Sequence, residues 1–247
     1  MVYLTEDDWK KYYIPRLFED NESYDNELKF IKNIYSIMTF MNSKLKVSNQ
    51  RILSTSMVYF HKYYIKKLKN IIIHLSLIDK LIICGSCIFI ATKTTNNLIS
   101  SSLIIKIIKD IVVNKLSNLN LDNESIKNMI FEKEFDILNS LEFCANVDLP
   151  YKFVLRLKNY FEKNTNISSE ILIKSCCQYI NDSFFFPVSL YYTPNTISIS
   201  CINIMKEKFS LDDINLNDII SLSEYKIDSN ELNECYLILE KLFDKLY

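Results

Sequence analysis

The sequence holds a single glycine, Gly85, in 247 residues. Loops that cradle phosphates need several glycines, because the backbone there turns sharply and approaches the ligand closely. One glycine therefore argues against Walker-type, Rossmann-type and kinase-type nucleotide sites together. With only four prolines beside it, the chain has few residues suited to tight turns, which disfavours an all-β fold. Apolar residues make up 49% of the chain and charged residues 24%, the balance of a folded protein rather than a disordered one.

Charge narrows the choice of partner. The formal net charge is −1, whereas a protein that grips phosphates carries a basic excess. The arginines are Arg16, Arg51 and Arg156 alone, so bidentate phosphate clamps are few. The reading is a chain with no direct nucleic-acid contact. The seven cysteines are an odd number and sit mostly in apolar runs. No signal peptide is recognised, and free thiols in a reducing compartment are expected. The longest apolar run, LIICGSCIFIAT at 81–92, lies between Lys80 and Lys93. It falls short of the roughly 20 residues needed to cross a bilayer, so it reads as a buried helix and not a membrane span.

Apolar residues recur at helical spacing along the chain. In 27–42, Leu28, Ile31, Ile34, Tyr35 and Met38 fall on one face, and in 50–66 Leu53, Met57, Phe60 and Tyr64 do the same. The run 81–92 is apolar on every side, as suits a helix surrounded by others. Further helices are predicted over 103–116 and over 122–143, the latter opening on polar capping residues. Pro150 disfavours helix at Asp148 and Leu149, which sets a boundary near 144–152. Helices then resume over 151–163, 169–184 and 194–207, with two more beyond. Pro187 and Pro194 predict an extended connection after Asn181, Asp182 and Ser183. The expected fold is all-α, two consecutive bundles of five helices with flanking terminal helices. The expected division is an N-terminal segment 1–24, a first bundle 25–146 and a second bundle 147–247.

Catalytic constellations are weak. VYFHKYY at 58–64 gathers four aromatic rings around His61, but neither His61 nor His74 has a Ser or Cys partner at a spacing that would bring it close. Cys84 and Cys87 have the spacing of half a zinc site, yet no second pair accompanies them, and they read as small buried packers. The acidic pairs Glu132/Glu134 and Asp212/Asp213 are assigned to solvated faces. No catalytic residue, cofactor or metal is assigned, and the chain is not expected to be an enzyme.

Five segments, in order, carry a resemblance to the cyclin family and specifically to its transcriptional types. VYFHKYY looks like the aromatic second helix of a first cyclin box. LIICGSCIFIATK is similar to that box's buried central helix, which ends on a small residue, Ala, another small residue and Lys. EKEFDILNSLEF resembles the fifth helix, and VDLPYKFVLRL the linker into the second box. YINDSFFFPVSLYYTPNTISISCI is similar to the second-box pattern of Asn-Asp-Ser/Thr, a loop, then Pro and a helix of small residues. The match runs from about residue 25 to about 205, without separating the C, H, K, L and T types.

The resemblance implies two cyclin boxes and a cyclin-dependent kinase as partner. Lys93 and Glu134 match the Lys and Glu that hold the backbone beside the kinase's mobile regulatory helix. That contact swings the kinase's own Glu inward to pair with its catalytic Lys. Leu138 and Phe143 match family positions that touch the kinase, though both fit a core position equally. His61, Tyr59 and Phe60 become scaffold. Two departures stand out: Lys93 is followed by Thr94, Thr95 and Asn96 where an acidic pair is usual, and ISISCINIM replaces an alanine-rich helix. Neither a mitotic substrate-docking motif nor a destruction signal is found. The implied function is activation of a kinase in RNA polymerase II transcription, with a nuclear location and the cytoplasm as an alternative. A subunit of a kinase-activating kinase of the H type, with an assembly factor as further partner, remains an alternative. So does a cyclin-box transcription-factor scaffold without a kinase.

Overall fold

The computed structural model describes residues 22–46, 49–68, 75–116 and 121–246. Residues 1–21, which cover most of the predicted N-terminal segment, and His74 lie outside the described residues. Among those described there are eleven α-helices and no strand, as the all-α reading expects. Two compact units emerge, one of Asp25–Val147 and one whose described part is 148–246.

The first unit comprises α1 (Glu22–Ser43), α2 (Gln50–Tyr63), α3 (Leu77–Thr94), α4 (Ser101–Lys115) and α5 (Asn123–Ser140). Polar caps start them: Asn49 accepts from the Ile52 amide, Ser76 and Asp79 form a capping box, and Asp122 accepts from Ser125. Helix α3 packs on α2, α4 and α5, and every residue from Leu81 to Thr92 is buried. Gly85 lies mid-helix in α3. A Cβ there would stand 2.9 Å from Ile108 Cδ1 and 3.2 Å from Ile104 Cγ2 on α4. The lone glycine thus serves close helix approach.

VYFHKYY lies on α2 and its continuation, a π turn over Tyr64–Leu68. Periodicity predicts one apolar stripe here; instead the helix is buried from Ile52 through Tyr64, because α3 and α5 both pack on it. Tyr59 and Phe60 are fully buried, as scaffold residues should be, and Phe60 contacts the rings of Phe30, His61 and Tyr64.

The second unit comprises α6 (Tyr151–Arg156), α7 (Lys158–Asn164), α8 (Ser169–Ser183), α9 (Pro194–Lys208), α10 (Leu216–Ser221) and α11 (Ser229–Leu246). One helix was predicted over 151–163, but the chain breaks at Leu157 (φ −80°, ψ 2°). The break lets Val154, Leu157 and Phe161 all reach the core. The predicted extended connection also differs. Phe186 and Thr193 are extended, but Pro187–Leu190 between them forms a 3₁₀ turn with the proline in its first position, where its fixed φ suits helical geometry.

Helix α9 packs on α6, α8 and α11 and buries Thr196, Ser198 and Ser200. The Ser198 hydroxyl lies 2.7 Å from both the Pro150 and the Pro194 carbonyl oxygens, and Ser200 donates to Leu232. Those partners explain how serines stand where alanines are usual.

Helix ends show where glycine is missing. Asn96, Glu142 and Ser210 occupy the left-handed position just past α3, α5 and α9, with φ of 58°, 53° and 52°. In each case the following amide reaches back to close the last turn: Asn97 to Thr92, Phe143 to Leu138, and Leu211 to Lys206. This is the Schellman arrangement, in which glycine is the usual occupant.

Candidate functional site

Helix α5 has two apolar faces. Ile126, Ile130 and Ile137 point into the first unit's core. A second stripe carries Phe131, Phe135 and Leu138, and Phe143 follows the helix end. Phe135 is 60% exposed and Phe143 63%, while Leu138 is half-buried. The rings of Phe135 and Phe143 meet edge to face at 6.3 Å, and Phe131 lies 6.4 Å from Phe89 of α3. Exposed rings grouped in this way on a folded unit make a candidate interaction surface.

The two charges singled out in the sequence meet on this surface. Lys93 Nζ lies 2.5 Å from Glu134 Oε1, and 4.0 Å from the centre of the Phe89 ring. The pair is unequal in burial: the Glu134 side chain is 14% exposed and that of Lys93 43%. The ammonium therefore sits between a carboxylate and an aromatic face, with a half that still reaches water. Of the four sequence-predicted contact residues, the structure joins Lys93 to Glu134 directly. Leu138 lies one turn further along α5, and Phe143 stands outside the core.

The run that replaces the usual acidic pair has its own work. Thr94 shares a hydrogen bond of 2.8 Å with the Tyr59 hydroxyl, Thr95 bonds the Ala91 carbonyl, and Asn96 takes the left-handed cap. These residues close α3 directly after Lys93. Glu132, Asp212 and Asp213 are exposed, while Glu134, assigned by one sequence argument to a solvated face, is largely buried.

Sequence reasoning missed Phe131 and Phe135. Their signal was available: 131, 135 and 138 follow the i, i+4, i+7 spacing, offset from the core stripe at 126, 130 and 137.

Elsewhere the chemistry is sparse. Cys84 and Cys87 are buried within α3, and burial pushes both thiols well above their ordinary pKa. His61 is buried. Among the described residues no group of three or more His, Cys, Asp or Glu side chains could hold a metal ion, and no helix is long and apolar enough to cross a membrane. A groove of about 510 Å³ runs between α1, α3 and α4, walled by Ile37, Phe40, Leu77, Leu81, Ile107 and Ile111. Its polar groups are exposed at the rim, so it offers contact area rather than a reactive centre.

No protein-family model matches the chain. Cyclin-C of Drosophila melanogaster is 26% identical over 242 residues, covering 90% of this chain and 85% of that protein. A chain of the yeast RNA polymerase II CTD kinase complex CTDK-1 superposes with a TM-score of 0.74 at 15% identity, covering 98% of this chain and 73% of the other. The chain is similar to cyclins over most of its length and shares their fold. Cyclin pch1 of Schizosaccharomyces pombe is 26% identical over 215 residues, covering 80% of this chain and 56% of that protein. The cyclin fold extends to a chain of the yeast TFIIK (Kin28/Ccl1/Tfb3) complex, at a TM-score of 0.61, 18% identity, and coverage of 97% and 96%.

Proposed function

We propose that this chain is a cyclin, a regulatory subunit that binds and activates a cyclin-dependent protein kinase acting in RNA polymerase II transcription. The observation that carries the reading is the Lys93–Glu134 pair set among the exposed Phe131, Phe135 and Phe143. The kinase-binding box is residues 25–146, and the second box is residues 147–247. Lys93 and Glu134 present one donor and one acceptor to backbone groups at the end of the kinase's regulatory helix. Leu138, Phe143 and the flanking rings supply the apolar contact.

The chain itself performs no chemistry. Its binding energy favours the kinase conformation in which the kinase's own Glu and Lys are paired, and so shifts a pre-existing equilibrium. The site of action is the nucleus. The likeness to a subunit of three-component TFIIK supports one alternative, a cyclin of the H type that also binds an assembly factor.

Co-purification of the chain with candidate cyclin-dependent kinases from its own source, followed by a phosphotransfer assay, tests the proposal. Wild type is expected to capture and activate one kinase. Lys93→Ala and Glu134→Ala are expected to weaken capture by about 2–5 kcal/mol, the usual effect of truncating a desolvated interfacial charge. Wild-type behaviour in both variants would reject the site. Capture of no kinase would reject the function, and phosphotransfer by the purified chain alone would overturn the non-enzymatic role.

A further inference from the structure

The end of α5 is held in a conformation that its own residues do not favour. Glu142 and Phe143 both have positive φ, at 53° and 55°. Consecutive left-handed residues other than glycine persist only where their surroundings fix them. The turn is what sets the Phe143 ring outside the core, against Phe135. Within the turn, the amides of Glu142, Phe143 and Cys144 bond to the carbonyls of Asn139, Leu138 and Leu141 at 3.0, 2.9 and 2.9 Å.

The fixing groups come from α2. Tyr59, Lys62 and Lys66 follow one another at three- and four-residue spacing, along a single stripe. Tyr59 donates its hydroxyl proton to the Ala145 carbonyl at 2.5 Å, at the far end of the turn. Lys62 Nζ lies 3.4 Å from the Leu141 carbonyl, the C-cap of α5. Lys66, in the π turn that extends α2, pairs with Glu142.

Lys62 is unusual in being 5% exposed, and burial holds its pKa below the ordinary lysine value. Its position answers a gap in α5. That helix has no basic residue in its own last turn, where a cation complements the carbonyl end of the helix. Lys62 brings one from a neighbouring helix.

We propose that Lys62 and Lys66, together with the Tyr59 hydroxyl, are positioning residues for kinase docking: they clamp the Leu141–Ala145 turn and so present Phe143. Lys62 and Lys66 touch no kinase themselves. The docking part of this inference rests on the proposed function, whereas the clamp stands on the geometry of the first unit alone.

Two measurements separate those parts. The first is amide exchange at 141–145 in the isolated chain, for wild type, Lys66→Ala, Lys62→Met and the double variant Lys66→Ala/Glu142→Gly. The second is binding of the same proteins to the kinase recovered with wild type. Both single variants are expected to speed exchange in the turn about fivefold to tenfold, while the cores of α3 and α5 stay protected. Kinase affinity should fall by a similar factor. Glycine at 142 adopts the left-handed conformation without help, so the double variant should recover slow exchange and most of the affinity.

Unchanged exchange in both single variants would overturn the clamp. Faster exchange with wild-type affinity would overturn its part in docking. Failure of the double variant to regain affinity, with exchange restored, would show that Lys66 or Glu142 contacts the kinase directly and would overturn the purely positioning role. Lys66 is a surface residue, so its variant folds even if Lys62→Met does not. If wild type captures no kinase, the docking part is rejected with the proposed function, and exchange alone decides the clamp.

Discussion

Helices α5 and α11 occupy comparable places, each packed against the buried central helix of its unit, α3 or α9, yet they distribute apolar residues differently. In α11, Cys235, Ile238, Leu239, Leu242 and Phe243 form one buried stripe, and Leu237 is a lone exposed exception. In α5, three isoleucines serve the core while Phe131 and Phe135 face outward beside an ion pair. A helix needs one apolar face to pack. The second face on α5 is the part that packing within its own unit does not explain, and it coincides with Lys93, Glu134 and Phe143.

The sharpest way to break this contrast is to truncate core residues that should behave alike. Phe60→Ala and Phe184→Ala, one per unit, should each lower the free energy of unfolding by about 3–5 kcal/mol, read from urea titration. A much smaller loss in either would show a loosely packed unit. Next come the exposed residues that should behave differently. Phe135→Ala should weaken kinase binding by about 1–2 kcal/mol with little change in stability, while Leu237→Ala should leave binding unchanged. Equal effects in a titration of the two variants would erase the distinction between α5 and α11.

Smaller effects probe the central helices. Ser198→Ala removes the hydroxyl beside the Pro150 carbonyl and should cost about 1 kcal/mol by thermal unfolding. A neutral result would mean that the serines of α9 are merely tolerated. Ser210→Gly should instead stabilise the chain by about 0.5–1 kcal/mol, because glycine suits the left-handed position after α9. A fall in melting temperature would point to a role for that side chain.

Most of the helical framework was legible because apolar spacing is a local property. The run 81–92 announced a helix buried on all sides, and its structure is that of α3. The break at Leu157 was not legible, since 151–163 has acceptable helical spacing and only the second unit's core decides that Val154, Leu157 and Phe161 must all point inward. The 3₁₀ turn at Pro187 was missed for a related reason: proline permits both an extended segment and the start of a helical turn. Within the candidate site, Lys93 and Glu134 were recognisable through the resemblance to cyclins. Their direct pairing depends on how α3 lies against α5, and the left-handed backbone that exposes Phe143 has no glycine or asparagine to advertise it.

The scarcity of glycine has a consequence for the chain before it folds. With one glycine in 247 residues, almost every backbone position of the unfolded chain is restricted by a side chain. A stiffer unfolded chain has fewer conformations to surrender when it becomes ordered. The folded state carries the counterpart of that saving at Asn96, Glu142, Phe143 and Ser210, where side-chain-bearing residues adopt a backbone shape they disfavour. Three of these four positions lie at the ends of α3 and α5, so the local disadvantage is concentrated beside the surface that the kinase would cover.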